Sequence, residues 1–153
     1  MGLIQAQVMV NAPREKVFEM ARHVEDYPAF MPDVEEIEIL ERDLEKGIAR
    51  VRWVGKVEVG SIRKKVRWVE EEIWDPKALR GEFKLIEGDY KHYFGEWEFI
   101  EMPKGQTLLT LDIDFDLGLP LIGPLINKLL DRIMLTNCQG MLDAIKNRVE
   151  QCQ

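Results

Sequence analysis

The stretch at residues 120–150 constrains the fold more than any other part of the chain. Apolar residues recur there at helical spacing for about eight turns, and charged or amide side chains occupy the opposite side. A helix with one apolar and one polar side requires a partner surface for its apolar side. The apolar positions are Ile126, Leu129, Leu130, Ile133, Met134, Met141 and Ile145.

The chain before this helix alternates between apolar and polar residues, which is typical of strands with one buried face. The clearest example is 109–117, where Leu, Ile and Phe alternate with Thr and Asp. Turn signals such as Glu87-Gly88-Asp89 and Pro103-Lys104-Gly105 separate successive strands. Asn11 and Pro13 are suited to starting a short helix after the first strand.

The predicted element order is one strand, one helix, a short helical turn, six strands and the long helix. This order indicates an α+β fold in which a seven-stranded, curved antiparallel sheet wraps around a long C-terminal helix. We find no internal repeat or linker in the sequence, so we expect one domain spanning residues 1–153.

Composition and charge narrow the classes of partner. The 153 residues carry a formal net charge of −7, and the only basic cluster, 63–67, is best explained as a solvated strand face. We therefore expect no nucleic-acid partner. No apolar run approaches the roughly 20 residues of a membrane span, and no signal peptide is evident, so we expect a cytoplasmic protein. Cys138 and Cys152 fall in one helix, roughly 21 Å apart, where they cannot pair.

Three motifs carry a resemblance to a known family. The first is Tyr27-Pro28-Ala29-Phe30-Met31-Pro32, and Gly81-Glu82-Phe83 and Gly95-Glu96-Trp97-Glu98-Phe99 follow it ahead of the 109–117 strand and the long helix. In this order, over nearly the whole chain, they resemble the START-like helix-grip (SRPBCC) superfamily, and within it the polyketide cyclase/dehydrase and coenzyme Q-binding branch. The stretch 86–94 departs from the resemblance, because it looks longer than the usual connection and leaves the ligand's identity open.

The resemblance implies a deep apolar cavity between the sheet and the long helix that binds a lipid, a quinone or a polyketide. It implies no cofactor. Indole rings suit such a cavity, because each is large and apolar and has one N–H that can orient a ligand. Packing of the same rings in a solid core is an equally open alternative. The side chains expected to contact the ligand are Trp53, Trp68, Phe83, Tyr93, Trp97, Phe99, Leu111, Ile113, Phe115, Ile126, Leu130, Ile133, Met134, Asn137 and Met141.

A tyrosine of the cavity is one candidate for acid–base chemistry, and Glu70 and Glu72 are the others. They share strand parity with Trp68 and Trp74, so a regular strand would point both carboxyl groups inward, where burial would raise their pKa. We favour instead a bulge that turns residues 70–72 to the solvent.

A metal site is not expected. His23 and His92 have no cysteine or carboxylate at ligand spacing, and side chains two apart on one strand, such as Asp112 and Asp114, are separated by roughly 6.5–7 Å. We interpret the aspartates of 112–116 as a solvated edge face. The sequence also has no motif that activates a nucleophile.

Three functions remain open. The leading hypothesis is a binder or carrier of a hydrophobic small molecule, and the second is a cyclase or aromatase acting on a polyketide. The third is a protein-interaction module that uses the outer sheet face or the apolar connection 117–126. That connection is also compatible with transient membrane contact. The oligomeric state is left open by the sequence.

Overall fold

The sheet and the two helices are arranged as the alternation predicts. A computed structural model describes residues 2–59, 62–117 and 124–151. Its seven strands form one antiparallel sheet in the order β1-β7-β6-β5-β4-β3-β2. The elements are β1 (Gly2–Val10), α1 (Arg14–Arg22), a 3-10 turn (Val24–Ala29), β2 (Val34–Asp43), β3 (Ile48–Val59), β4 (Ile62–Asp75), β5 (Arg80–Gly88), β6 (His92–Met102), a 3-10 turn (Pro103–Gly105), β7 (Gln106–Asp116) and α2 (Pro124–Gln151).

This order confirms the predicted α+β helix-grip architecture. The short helical turn contains Pro28, which limits it to 3-10 geometry. The structure corrects the start of α1: the residue before its first turn is Pro13, and no side chain caps this end. Asn11 instead offers its backbone N–H to Glu150 Oε2 at 2.9 Å, which ties the connection after β1 to the end of α2.

Strand β7 alternates between buried and half-buried residues along its whole length, because one side of it faces the core. It pairs with β1 on one side and with β6 on the other. The expectation that its aspartates occupy an edge of the sheet is therefore wrong, since β1 and β2 form the two edges.

Helix α2 packs closely at one end only. Its C-terminal half buries Cys138, Leu142, Ile145 and Val149, whereas the inward residues of its N-terminal half are half-buried. These half-buried residues are Leu130, Ile133, Met134 and Asn137, and Met141 in the C-terminal half is also half-buried. The C-terminal end of the helix, near α1, is therefore tightly packed, and its other end is loosely packed.

Two amide side chains fasten α2 to the sheet. Gln139 Nε2 donates to the carbonyl oxygen of Gln7 at 3.1 Å, and Asn137 Nδ2 donates to that of Lys56 at 3.2 Å. Residues 118–123, which are most of the apolar connection, and residues 60–61 lie outside the described residues.

Candidate functional site

Two carboxyl groups lie inside the aromatic core. Glu70 is 3% exposed and Glu72 is 2% exposed, and both face the concave side with Trp68 and Trp74. The favoured expectation that a bulge turns them to solvent is wrong. The pairing of β4 with β5 does shift in register at Val69, but the shift does not reverse the side on which Glu70 lies.

Three indole groups hold this pair in the core. Trp68 Nε1 donates to Glu70 Oε1 at 2.7 Å. Glu72 accepts one hydrogen bond from Trp74 Nε1 at 3.0 Å and another from Trp53 Nε1 at 3.2 Å. Among the described residues, no buried side-chain nitrogen or oxygen lacks a partner. The indoles therefore offset part of the desolvation that burying two carboxyl groups costs.

The pair holds a proton on Glu70. Burial raises the pKa of Glu70 well above its usual value, and the charge of Glu72 raises it further. Burial also raises the pKa of Glu72, but the hydrogen bonds from Glu70, Trp74 and Trp53 oppose that rise. Adjacent carboxyl groups in a poorly solvated site do not readily ionise together. The pair therefore holds a shared proton to higher pH than separate carboxyl groups would, and the larger pKa rise is at Glu70.

Aromatic rings surround the acid pair on the side towards β5 and β6. Trp53 is stacked on Trp68 at a ring distance of 5.6 Å, and Tyr90 and Tyr93 contact Trp68 at 5.2 and 5.3 Å. Burial raises the pKa of both tyrosines, so each phenol keeps its proton and can donate a hydrogen bond. This end of the core is lined by apolar rings and also contains several hydrogen-bond donors.

A crevice of about 60 Å³ runs from Glu72 to the surface past Arg22, His23 and Arg42. Two hydrogen bonds from Arg42 to Glu25, of 2.7 and 2.9 Å, fix the guanidinium group at its wall. A water molecule occupies about 30 Å³ of liquid volume, so the crevice is large enough for water and too small for a lipid-sized ligand.

The structure brings the predicted ligand-contacting side chains together around one interior. Those on the strands belong to the core: Trp53, Trp68, Phe83, Trp97, Phe99, Leu111, Ile113 and Phe115 are buried, and Tyr93 is partly buried. Those on α2, from Leu130 to Met141, are the half-buried residues described above. The side chain of Ile126 lies outside the described residues. Contact of this set with a ligand stays a prediction.

Sequence reasoning missed Tyr90 and Arg42. Tyr90 lies between β5 and β6, where no strand period shows which side of the sheet a residue faces. Arg42 lies near the end of β2, where it pairs with Glu25, and the sequence separation of 17 residues gives no local signal of that contact. For Tyr90 the one available signal was its closeness in sequence to Tyr93.

One acidic cluster in the described part of the chain has metal-ligand spacing. Carboxylate oxygens of Glu96, Glu98 and Asp112 lie within 4.8 Å of one another on the half-buried outer side of the sheet. His92 Nε2 instead contacts Asp114 Oδ1 at 2.7 Å. Acidic surface groups of this kind are common without an ion. The prediction that no metal binds stays a prediction.

Comparison with known proteins identifies the family. The model of the family described as "Polyketide cyclase / dehydrase and lipid transport" matches residues 10–142, and the chain belongs to this family. This confirms the suspected SRPBCC membership.

No helix among the described residues is long and apolar enough to cross a membrane.

Individual relatives cover nearly the whole chain. The structure of TTHA0849 from Thermus thermophilus is 33% identical, covers 99% of each chain and superposes with a TM-score of 0.89. The Zhui aromatase/cyclase from Streptomyces sp. R1128 is 24% identical, with 98% of this chain and 94% of that chain covered and a TM-score of 0.84, which shows a shared fold. The ribosome association toxin RatA of Pseudomonas aeruginosa is 26% identical over 148 residues, 97% of this chain and 95% of its own.

Proposed function

We propose that the protein binds a hydrophobic small molecule between the concave face of the sheet and the N-terminal half of α2. The observation that carries this proposal is the burial of the Glu70 and Glu72 carboxyl groups inside an aromatic core, together with a covering helix whose N-terminal half is only half-buried. The family's description, which includes lipid transport and polyketide cyclases, supports the same class of ligand.

The acid pair indicates what the polar end of the ligand looks like. The single proton of Glu70 is shared with Glu72, whereas the phenols of Tyr90 and Tyr93, whose rings contact Trp68 and each other, can donate hydrogen bonds beside the pair. Donors that converge in an apolar site favour an acceptor such as a carbonyl oxygen. A quinone or a polyketide with a ketone near its polar end has this chemistry, and a saturated hydrocarbon does not.

Entry of the ligand requires movement of α2. The crevice at Glu72 is too narrow, whereas the N-terminal half of α2 is fastened to β3 by the hydrogen bond from Asn137 to Lys56. A helix end with half-buried side chains and a solvent-exposed fastening hydrogen bond opens at low free-energy cost. The proposed route therefore passes beneath residues 130–137, beside Met134.

Native mass spectrometry of gently purified protein tests the proposal, together with quenching of tryptophan fluorescence by a short-chain quinone and by a fatty acid. We expect a retained ligand and quenching by the quinone, because Trp53 and Trp68 line the site. Met134→Trp should obstruct the route and weaken quinone binding at least tenfold. Leu135→Trp, at a neighbouring residue of α2 that is 40% exposed, is the matched control and should bind normally.

The proposal fails if no ligand is retained and neither probe quenches the fluorescence. It also fails if Met134→Trp and Leu135→Trp bind the quinone equally well, because the route would then lie elsewhere. The folding of each variant is checked by its unfolding midpoint, so a loss of binding is not confused with a loss of structure.

A second candidate function is cyclisation of a polyketide-like substrate, and the protonation of Glu70 favours it. In a shaped apolar site the proton of Glu70 could pass to a substrate ketone while an enol carbon of the same polyketide attacks that ketone, and the enol O–H proton would then return to the acid pair. Glu70→Gln keeps an amide in the same place but cannot transfer a proton. Product formation from a poly-β-ketone analogue should stop in this variant while binding persists. Unchanged turnover would exclude Glu70 as the acid.

A further inference from the structure

The outer face of the sheet, on the side away from α2, has apolar side chains in contact with solvent. Leu3 on β1 is 70% exposed, Phe94 on β6 is 50% exposed and Ile73 on β4 is 37% exposed. They border one shallow groove of about 890 Å³ that crosses the strands from β1 to β4, which we call the outer groove. In the strand register Asp114 lies between Leu3 and Phe94, and Ile73 lies beside Glu82, so the groove presents exposed apolar side chains among charged ones.

Acidic residues form the floor of the outer groove. The strand register places Asp112 of β7 opposite Glu96 of β6, and Glu96 opposite Glu82 of β5. Like charges directly opposite one another destabilise a sheet, so this acidic row costs the isolated protein some stability. Arg80 lies 2.5 Å from Glu96, but no ion pair among the described residues involves Glu82 or Asp112.

The residues that line the outer groove carry more negative than positive charges. The residues that line it include five carboxylates, those of Glu71, Glu82, Glu96, Asp112 and Asp114, against two lysines, Lys84 and Lys91. Glu71 is paired with Lys84 at 3.6 Å and Asp114 with His92 at 2.7 Å. The groove therefore combines apolar side chains with an acidic floor on which Glu82 and Asp112 have no ion-pair partner among the described residues, and a complementary partner needs both apolar and basic side chains.

We propose that the outer groove docks a basic amphipathic segment of a partner protein. Leucine-like side chains of the segment pack against Phe94, Leu3 and Ile73, and its lysines or arginines lie over the acidic row. The negative charge of the groove favours a basic segment over the other possible occupants. A second copy of the chain would bring its own five carboxylates, and nucleic acid or an anionic membrane would be repelled.

The side chains that carry this proposal lie on the face of the sheet opposite the proposed ligand site, although Phe83 and Tyr93 of the predicted ligand-contacting set also border the groove. On β4, Glu71 lines the outer groove, whereas Glu70 and Glu72 are buried on the opposite side of the sheet. Docking and ligand binding can therefore be tested independently, and loss of one function leaves the other measurable.

The test uses a fluorescently labelled synthetic helical peptide of about 18 residues, with leucines on one side and lysines on the other. Two further peptides are compared with it: one has Glu in place of every Lys, and one has Ser in place of every Leu. Fluorescence anisotropy gives each affinity, and amide shifts in an NMR titration with labelled protein locate the bound peptide. We expect the Leu/Lys peptide to bind at least tenfold more tightly than either control, with shifts at Phe94, Glu96 and Asp112.

Variants with matched controls separate the acidic and the apolar contributions to peptide binding. Glu82→Gln should weaken binding about threefold or more and reduce its salt dependence, whereas Glu101→Gln, an exposed acid near the β6–β7 turn, should change neither. Phe94→Ala should weaken binding by about tenfold. Leu44→Ala, which removes a 78% exposed leucine outside the outer groove, should have no effect.

Several results would overturn the proposal. Equal binding of the Leu/Lys and Leu/Glu peptides would show that charge selects nothing, and shifts confined to the α2 side would place the peptide elsewhere. Sedimentation that reveals a dimer broken by Phe94→Ala would assign the face to a second copy of the chain. Binding of anionic lipid vesicles that is lost in Phe94→Ala would assign it to a membrane instead.

Discussion

The indole Nε1 of Trp68 donates a 2.7 Å hydrogen bond to Oε1 of Glu70, two residues further along β4. Because side chains two apart on a strand project from the same side, the donor and the acceptor are placed together by the strand itself. The same relationship recurs between Trp74 and Glu72. The buried acid pair thus has a tryptophan on each side along one strand, and its protonation follows from that burial.

The first prediction concerns how the free energy of unfolding depends on pH. Unfolding exposes Glu70, which then ionises near its ordinary pKa of 4.5, whereas burial raises the pKa in the folded protein. The folded state therefore holds the proton more tightly, and the free energy of unfolding falls as pH rises above about 4.5. One such group contributes a slope of about 1.4 kcal/mol per pH unit until the folded pKa is reached. Urea unfolding of Glu70→Gln should show a smaller decline over this range.

The matched control is Glu71→Gln, since Glu71 is the neighbouring carboxylate on the outer face, paired there with Lys84. This variant should keep the pH slope of the unsubstituted protein and lose little stability, because exposed ion pairs contribute little. A Glu70→Gln protein with the full slope would show that the proton is not held at Glu70.

The second prediction concerns the indole donors of Glu72. Trp53→Phe removes the 3.2 Å hydrogen bond while keeping an aromatic ring. The buried carboxylate then loses a donor, which costs about 1–3 kcal/mol beyond the loss of ring volume. Trp97→Phe is the control, because Trp97 is equally buried and donates no hydrogen bond to the acid pair in the described structure.

Urea unfolding at neutral and at acid pH measures both tryptophan variants. The extra cost of Trp53→Phe should shrink at acid pH, where Glu72 is protonated in both states and depends less on the donor. Equal costs for both variants at neutral pH would contradict the role assigned to the Trp53 indole.

The third prediction concerns two glycines. A Cβ at Gly95 would lie 2.1 Å from the backbone oxygen of Asp112 and 2.6 Å from Cζ of Phe83. The strand pairing of β6 with β7 cannot relax easily, so Gly95→Ala should lose more than about 3 kcal/mol or fail to fold. At Gly140 nothing lies within 4 Å of the added Cβ. Gly140→Ala should gain about 1 kcal/mol from helix propensity, measured by thermal or urea unfolding.

This pair of variants also tests the packing of the sheet directly. A stable Gly95→Ala protein would mean that β6 and β7 approach less closely than described. A destabilised Gly140→Ala protein would mean that another group occupies the space beside α2.

The fourth prediction concerns the thiol of Cys138, which lies on the buried side of α2 and is 3% exposed. Burial raises its pKa to about 12. In a Cys152→Ser background at about pH 8, a disulfide reagent should react at least 100-fold more slowly with the folded than with the urea-unfolded protein. A quinone that occupies the proposed site should slow the reaction further. Rapid labelling of the folded protein would show that the Cys138 side of α2 is accessible to the reagent.

The alternation of apolar residues predicted the sheet and the long helix well. The 109–117 pattern became β7, and most of the apolar side of 120–150 became the inward side of α2, with Ile145 fully buried. Leu129, which was predicted to lie on that side, is 39% exposed. These patterns succeed because a side chain's face depends only on local geometry. Asn11 shows the limit, because its hydrogen bond to Glu150 joins residues 139 apart, which no local helix-start signal indicates.

The sequence by itself determined the element order, the family resemblance and which side chains share a face, because these follow from local periodicity. It did not determine whether Glu70 and Glu72 lie in solvent or in the core, since strand parity is compatible with a bulge. The tertiary structure decided this through Trp53, which reaches Glu72 from β3, 19 residues away. The acidic row of the outer groove was decided in the same way, because its residues meet only through the register of β5, β6 and β7.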